Sequence, residues 1–293
     1  MESIHKTVLL KESIEGLNLK DGALVIDATF GGGGHSLEIC KSYKNVKIIA
    51  LDQDASAFKK AEHKFKDLNC DITFVNTNFR ELNFSNDSVD AIIFDLGLSS
   101  DQLDHSGRGF SFLRDEPLLM TMKENPLSED LTAKDIVNTW SEENLADIIY
   151  GYGEEKFSRR IAKGIVDARE KEEIKTTFDL VRIIETVVPA VYRKSRLHFA
   201  TRTFQALRIA VNDELRALSE GLEKGFNILK KGGHMSVISF HSLEDRIVKN
   251  FYKQKKEENQ ARLINKKIIT ASMKEIKENG RSRSAKLRIL EKI

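Results

Sequence analysis

Residues 25–36, Val-Ile-Asp-Ala-Thr-Phe-Gly-Gly-Gly-Gly-His-Ser, constrain the fold most: an apolar run passes through four glycines into a segment with Leu37, Ile39 and Cys40 at apolar positions. The pattern predicts strand, glycine turn, helix. With no Cβ in the way, backbone N–H groups of such a turn can approach a ligand at a helix N-terminus. The stretch therefore reads as a nucleotide-type cradle. His35 follows Gly34 where a phosphate-binding P-loop needs Lys and then Ser or Thr, which disfavours ATP and GTP. Gly31 and Gly33 match two glycines of the dinucleotide fingerprint, but Ser36 occupies the third position. A turn of this kind also serves S-adenosylmethionine, which carries no phosphate.

The first third alternates strands and helices. Strands are expected over 23–29, 47–51, 71–75 and 89–94, with a helix over 55–65 and polar or acidic tips at Asp52, Asn76 and Asp95. This predicts a doubly wound parallel α/β sheet with its site at the carboxyl ends of the strands. Asp52 lies roughly 20 residues beyond the glycines, where a carboxylate can accept hydrogen bonds from a ribose; the alternative is an acidic helix-start residue. From 107 to 197 the pattern is helical, with a capping box expected at Thr132 and Asp135 and a helix start at Ser141. One long helix over 202–229 follows, then a strand over 234–240, a helix for which Ser242 and Asp245 read as a cap, and a late edge strand over 286–293. The expected domains are a sheet domain in two parts, 1–107 and 201–293, and an inserted helical domain, 108–200.

The chain has 293 residues, 40% hydrophobic and 31% charged, ordinary proportions for a soluble protein. It contains no apolar run near the roughly 20 residues a membrane helix needs, and Met1–Lys6 lack a signal-peptide pattern, so a cytoplasmic protein without membrane contact is expected. Cys40 and Cys70 lack metal-ligand spacing and read as buried thiols; no metal is expected. A net charge of +2 makes no case for nucleic acid, but the charge is clustered. No acid lies between Glu185 and Asp213, a span holding Arg193, Lys194, Arg196, Arg202 and Arg208; a second run holds Arg281, Arg283, Lys286 and Arg288. Basic residues among aromatic ones suit single-stranded or loop RNA, the alternative being a solvated face.

Six further segments carry a specific resemblance: Thr29 to Ser36; Asp95-Leu-Gly-Leu-Ser-Ser-Asp-Gln102-Leu-Asp104; Arg108-Gly-Phe-Ser-Phe112; Ala200-Thr-Arg-Thr-Phe-Gln-Ala206; Ser239-Phe-His-Ser-Leu-Glu-Asp-Arg246; and Arg281-Ser-Arg-Ser-Ala-Lys-Leu-Arg288. In this order they resemble the bacterial small-subunit ribosomal RNA cytidine-N4 methyltransferase family, from His5 to the last strand. Three departures stand out. Residues 116–122 read Glu-Pro-Leu-Leu-Met-Thr-Met where the family usually has Gly-Pro-Leu-Asp-Met-Arg-Met, and Asp101 and Gly280 each replace a usual proline.

The resemblance implies a Rossmann-like class I methyltransferase sheet with an inserted helical domain. It implies S-adenosylmethionine held by Gly33, Gly34 and His35, with Asp52 on the ribose, Phe79 beside the adenine, and Asp95 and Gln102 near the methionyl end. Asp95 is the expected catalytic carboxylate, purely cofactor binding being its alternative, and His241 is placed to contact the base or a phosphate. Phe110, Phe112 and Phe240 are candidate stacking partners for a base outside its stack, and Arg202 lies in the basic run. The implied partners are the small ribosomal subunit and its RNA; a homodimer is left open. A nicotinamide-dependent dehydrogenase would leave the basic runs unused. A methyltransferase for another substrate and a noncatalytic RNA-binding assembly factor are the remaining readings.

Overall fold

The computed structural model describes residues 7–68 and 70–293. The sequence readings on Met1–Lys6, including the start of the family resemblance at His5, lie outside them. The chain forms two compact units, one of residues 1–99 with 215–293 and one of residues 100–214.

The first unit opens with α1 (Leu10–Gly16), β1 (Leu24–Asp27), α2 (Gly34–Ser42), β2 (Lys47–Asp52), α3 (Ala55–Ala61, continued by a 3-10 turn to Phe65), β3 (Asp71–Asn76) and β4 (Val89–Asp95). The second comprises α4 (Ser100–His105), α5 (Ala133–Thr139), α6 (Glu142–Gly151), α7 (Ser158–Arg169), α8 (Thr177–Val187), α9 (Ala190–Arg193) and α10 (Thr201–Asn212). The chain returns through α11 (Glu214–Ile228), β5 (Leu229–Ser239), α12 (Ser242–Glu257), β6 (Ala261–Leu263), β7 (Ile269–Thr270), α13 (Met273–Glu278) and β8 (Lys286–Lys292).

The strands make one sheet in the order β3-β2-β1-β4-β5-β8-β6, with β7 also paired to β8. The five strands from β3 to β5 are parallel, and β8 runs antiparallel to β5. A parallel sheet must be covered on both faces, and adjacent residues of one strand supply opposite sides. Ile92 and Phe94 pack with Leu218, Leu222, Phe226 and Val237 on one face; Ala91 and Ile93 pack with Val25, Phe30, Ile39 and Ile48 on the other. The rings of Phe30, Phe58, Phe65 and Phe74 form an aromatic cluster on the second face.

Three expectations are corrected. The single long helix is two, because Asp213 takes a left-handed conformation (φ 49°) and ends α10. Strand 286–293 is not an edge strand: β6 and β7 pair outside it, and these short strands carry too few residues to show a period. Cys40 and Cys70 are not free thiols but a disulfide joining α2 to the residue before β3, their Cα atoms 5.4 Å apart. The capping box of Thr132 with Asp135 is present, as is the Ser141 cap. Among the described residues no helix is long and apolar enough to cross a membrane.

Phe94 is fully buried and meets the edge of Phe79 at 5.5 Å between centroids. Phe94→Ala is expected to destabilise the protein by about 3–5 kcal/mol, read as a lower denaturant midpoint with unchanged slope.

Candidate functional site

The parallel register brings the carboxyl ends of neighbouring strands to one edge of the sheet. Asp27 at the end of β1 is level with Ala50 and Ile93, and Asp95 at the end of β4 is level with Ile238. Beyond β2 the chain turns at Asp52, and beyond β5 it turns at Phe240 and His241.

Within the glycine run the residues do different work. Gly31 has φ +51°, and a Cβ there would meet nothing nearer than Ser99 Cβ at 3.7 Å, so its backbone is approachable. A Cβ on Gly33 would lie 2.6 Å from Phe30 Cζ, and one on Gly34 would lie 1.7 Å from Thr7 Oγ1. Gly33 is also the left-handed N-cap of α2. These two glycines therefore let the turn sit against its own unit, while Gly31 leaves a face open. The Gly31 N–H donates to Asp52 Oδ2 at 2.7 Å and the Asp54 N–H to Asp52 Oδ1 at 2.8 Å. Asp52 thereby ties the turn to β2, and each oxygen keeps a lone pair.

Burial pushes the Asp52 carboxyl up to about 6, against the lowering effect of the Asp54 and Gly31 N–H groups. Asp27 is likewise raised to about 6 by burial, although Ser36 Oγ donates to its Oδ2 at 2.6 Å and the Thr29 N–H to its Oδ1 at 3.3 Å. Asp95 is raised well above the ordinary carboxylate range by burial first, then by the charges of Asp27 and Glu244. Its Oδ2 lies 3.7 Å from Nδ1 of the buried His35, and its buried Oδ1 has no hydrogen-bond partner among the described residues. One of the acids, Asp95, thus sits beside an imidazole and within reach of the Asp27 charge, an arrangement that favours a cation or a hydrogen-bond donor as ligand.

At the end of β5 the cap of α12 is not Ser242 with Asp245 but His241 with Glu244. Asp245 instead pairs with Arg288 at 2.8 Å and Lys286 at 3.5 Å, which holds its carboxyl below the ordinary range despite burial. Phe240 is half-buried, its Cδ2 3.6 Å from the position a Cβ on Gly97 would take. Phe79 is also half-buried; a Cβ on Gly221 would come within 2.5 Å of its ring.

The other predicted residues belong to the second unit. Gln102 is half-buried on α4. Phe110 is 6% exposed, with the Arg108 guanidinium 5.5 Å above its ring. Arg108 in turn donates to the carbonyls of Met122 and Lys123. Phe112 stacks on His198 at 4.4 Å and 7°, and burial lowers the His198 pKa, which keeps that imidazole neutral against the ring. Arg202 donates to the Glu154 carbonyl. Around the departures at Leu119 and Thr121, the Ala133 and Lys134 N–H groups donate to the carbonyls of Leu119 and Leu118, and Asn212 binds both Met120 O and Met122 N.

Gly33, Gly34, His35, Asp52, Phe79, Asp95, Phe240 and His241 all belong to the first unit, where His35 lies beside Asp95 and the glycine turn is tied to Asp52. Sequence reasoning missed Asp27 and Glu244. Asp27 directly precedes the turn, and Glu244 stands three residues after His241, the spacing of a capping box; either pattern could have flagged them.

The MraW methylase family model matches residues 2–293. The ribosomal RNA small subunit methyltransferase H of Lactobacillus johnsonii is 45% identical over 318 residues, covering 100% of each chain. The protein of the same name from a Sulfurihydrogenibium species is 48% identical over 290 residues, covering 97% of this chain and 98% of its own.

Asp27 makes stability fall as pH rises. Its folded pKa exceeds the unfolded value, so its favourable contribution is complete below about 4 and lost as pH passes about 6. Asp27→Asn is therefore expected to gain on the wild type between pH 4.5 and 7 by about 2 kcal/mol, measured by urea unfolding at both pH values.

Proposed function

The chain belongs to the MraW methylase family, and on that premise we propose that it methylates the exocyclic N4 amine of a cytidine in the decoding region of small-subunit ribosomal RNA, using S-adenosylmethionine, with the assembled subunit as substrate. The observation that carries the reading is Asp95: a half-buried carboxylate at the end of β4 whose Oδ1 is buried with no hydrogen-bond partner among the described residues. S-adenosylmethionine supplies a methyl group on a positively charged sulfur. The residues fit such a ligand: Gly31 leaves an open backbone face, Asp52 retains acceptor capacity for hydroxyls, and the acids Asp27 and Asp95 favour positive charge.

A cytosine amine is a weak nucleophile because its lone pair is delocalised into the ring. Asp95 accepts a hydrogen bond from that amine, which favours a pyramidal nitrogen, and takes the proton released as the nitrogen–carbon bond forms and the carbon–sulfur bond breaks. Alignment and exclusion of water supply the rest of the acceleration. Phe112 and Phe240, each half-buried, are the rings we assign to stacking with RNA bases, whereas Phe110 under Arg108 serves the packing of its unit. The substrate puts the protein's work in the cytoplasm.

Labelled S-adenosylmethionine incubated with small subunits from cells lacking the protein is expected to yield N4-methylated cytidine on nucleoside analysis; unlabelled RNA would sink the assignment. Asp95→Asn should lower kcat by about 10²-fold or more with cofactor affinity nearly kept, whereas a purely cofactor-binding role would move the affinity instead. Binding of S-adenosylmethionine, followed by calorimetry, should strengthen as pH rises through about 6 and Asp52 ionises. Asp52→Asn should bind more weakly and lose that part of the pH dependence.

A further inference from the structure

The second basic run divides in the fold. Arg288 and Lys286 turn to Asp245, at 2.8 and 3.5 Å, whereas Arg281 and Arg283 are exposed on either side of Ser282. Ser282 is fully buried, and its hydroxyl donates to the Asn279 carbonyl at 2.8 Å. The 3-10 turn Gly280–Ser284 is thus anchored by its central serine while the flanking arginines stay at the surface. The preceding α13 adds Lys274 and Lys277, both exposed. Three residues apart on a helix, they are surface neighbours of like charge, an unfavourable pairing that a polyanion relieves. Among the described residues, no ion pair or hydrogen bond occupies the side chains of Lys274, Lys277 or Arg283. Of the two acids on α13, Glu275 is turned inward, its Oε1 accepting the Leu9 N–H at 2.8 Å. That leaves Glu278 as the exposed carboxylate against four exposed cations.

The sheet register puts this segment at the edge that holds Asp95. β8 is antiparallel to β5 with Lys286 level with Ser239, and β7 pairs Thr270 with the same Lys286. The chain from Thr270 through α13 and the 3-10 turn therefore leaves and re-enters the sheet at the end of β5, where Phe240 and His241 follow. Packing holds it there: Ile276 of α13 and Phe240 lie against the same buried cluster, which includes Val8, Leu9, Ile238 and Leu287. A row of cations beside the ring assigned to stacking matches how a single RNA strand is held, with bases on aromatic faces and phosphates on Lys and Arg. We infer that Lys274, Lys277, Arg281 and Arg283 form a phosphate-binding strip for the RNA strand that carries the target nucleotide. The inference rests on ribosomal RNA being the substrate, and it adds the surface that holds the backbone of that RNA.

The test is binding of the full chain to small subunits from cells lacking the protein, over a series of salt concentrations and without S-adenosylmethionine, so that no turnover intervenes. Lys274→Gln/Lys277→Gln/Arg283→Gln is expected to bind about tenfold or more weakly at about 0.15 M salt. The slope of log K against log salt should flatten by about 2, each single-strand phosphate contact contributing about 0.7. The thermal midpoint should stay, since these side chains hold no partner within the protein. Lys41→Gln/Lys44→Gln/Lys47→Gln removes the same charge from exposed residues around the start of β2, at the opposite edge of the sheet, and should bind like the wild type. A strip variant with wild-type affinity and slope overturns the inference, as does an equal loss in both variants, which would reflect overall charge alone. The strip's effect should persist on protein-free small-subunit RNA; its disappearance there would make a ribosomal protein the partner and overturn the inference. Methyl transfer separates the two readings. Strip-dependent binding with no N4-methylated cytidine from the wild type would remove the function and leave the strip, whereas transfer with strip-independent binding would do the reverse. If the triple variant does not fold, Arg283→Gln alone decides: the slope should change by about 0.7, and an unchanged slope overturns the inference.

Discussion

The first unit is built around a concentration of buried carboxylates that its own polar groups only partly answer. Asp27 and Asp95 end adjacent parallel strands, and the register that fixes the sheet also forces their side chains into one neighbourhood. Desolvation raises both, the charge of Asp27 raises Asp95 further, and the hydrogen bonds from Ser36 and Thr29 offset burial only for Asp27. Such an arrangement persists only where packing holds it. The aromatic cluster around Phe30 on one face of the sheet and the Phe94 cluster on the other supply that packing. The apolar layers keep the acids poised for a positively charged or proton-donating ligand.

The glycine turn has two jobs divided among its residues. Gly33 and Gly34 close the turn onto Phe30 and Thr7, so their lack of a side chain is a packing requirement. Gly31 faces open space while its N–H is held by Asp52. The conformation of the approachable residue is therefore fixed from β2, and a ligand meets a preformed backbone rather than a loop it must order.

In the second unit the motif residues are embedded in the packing. Gly109 has φ +76°, and a Cβ there would come 2.4 Å from the Pro117 carbonyl oxygen, so only glycine fits that turn. The Gly109 N–H donates to Glu116, and the loop over residues 118–122 satisfies the first N–H groups of α5. The segment with Leu119 and Thr121 in place of the family's usual aspartate and arginine is thus tied to its neighbours through backbone carbonyls, which no side-chain exchange removes.

Much of this was legible in the chain itself. The strand–glycine–helix pattern, the acidic strand tips at Asp52 and Asp95 and the capping box at Thr132 all follow from local rules, because period, turn chemistry and capping depend on residues within a few positions of each other. Other features were not readable: the antiparallel interior place of β8, the pairing of Cys40 with Cys70, the break at Asp213 and the pairing of Glu244 with His241. Each depends on which distant segments become neighbours, and the change of proton affinity at Asp27, Asp52 and Asp95 depends on how completely water is excluded around them. The sequence by itself determined the elements, the cradle and the acids at its rim. Only the tertiary structure decided which carboxylates share a buried space, because desolvation and charge repulsion act through distance in the folded molecule and not along the chain.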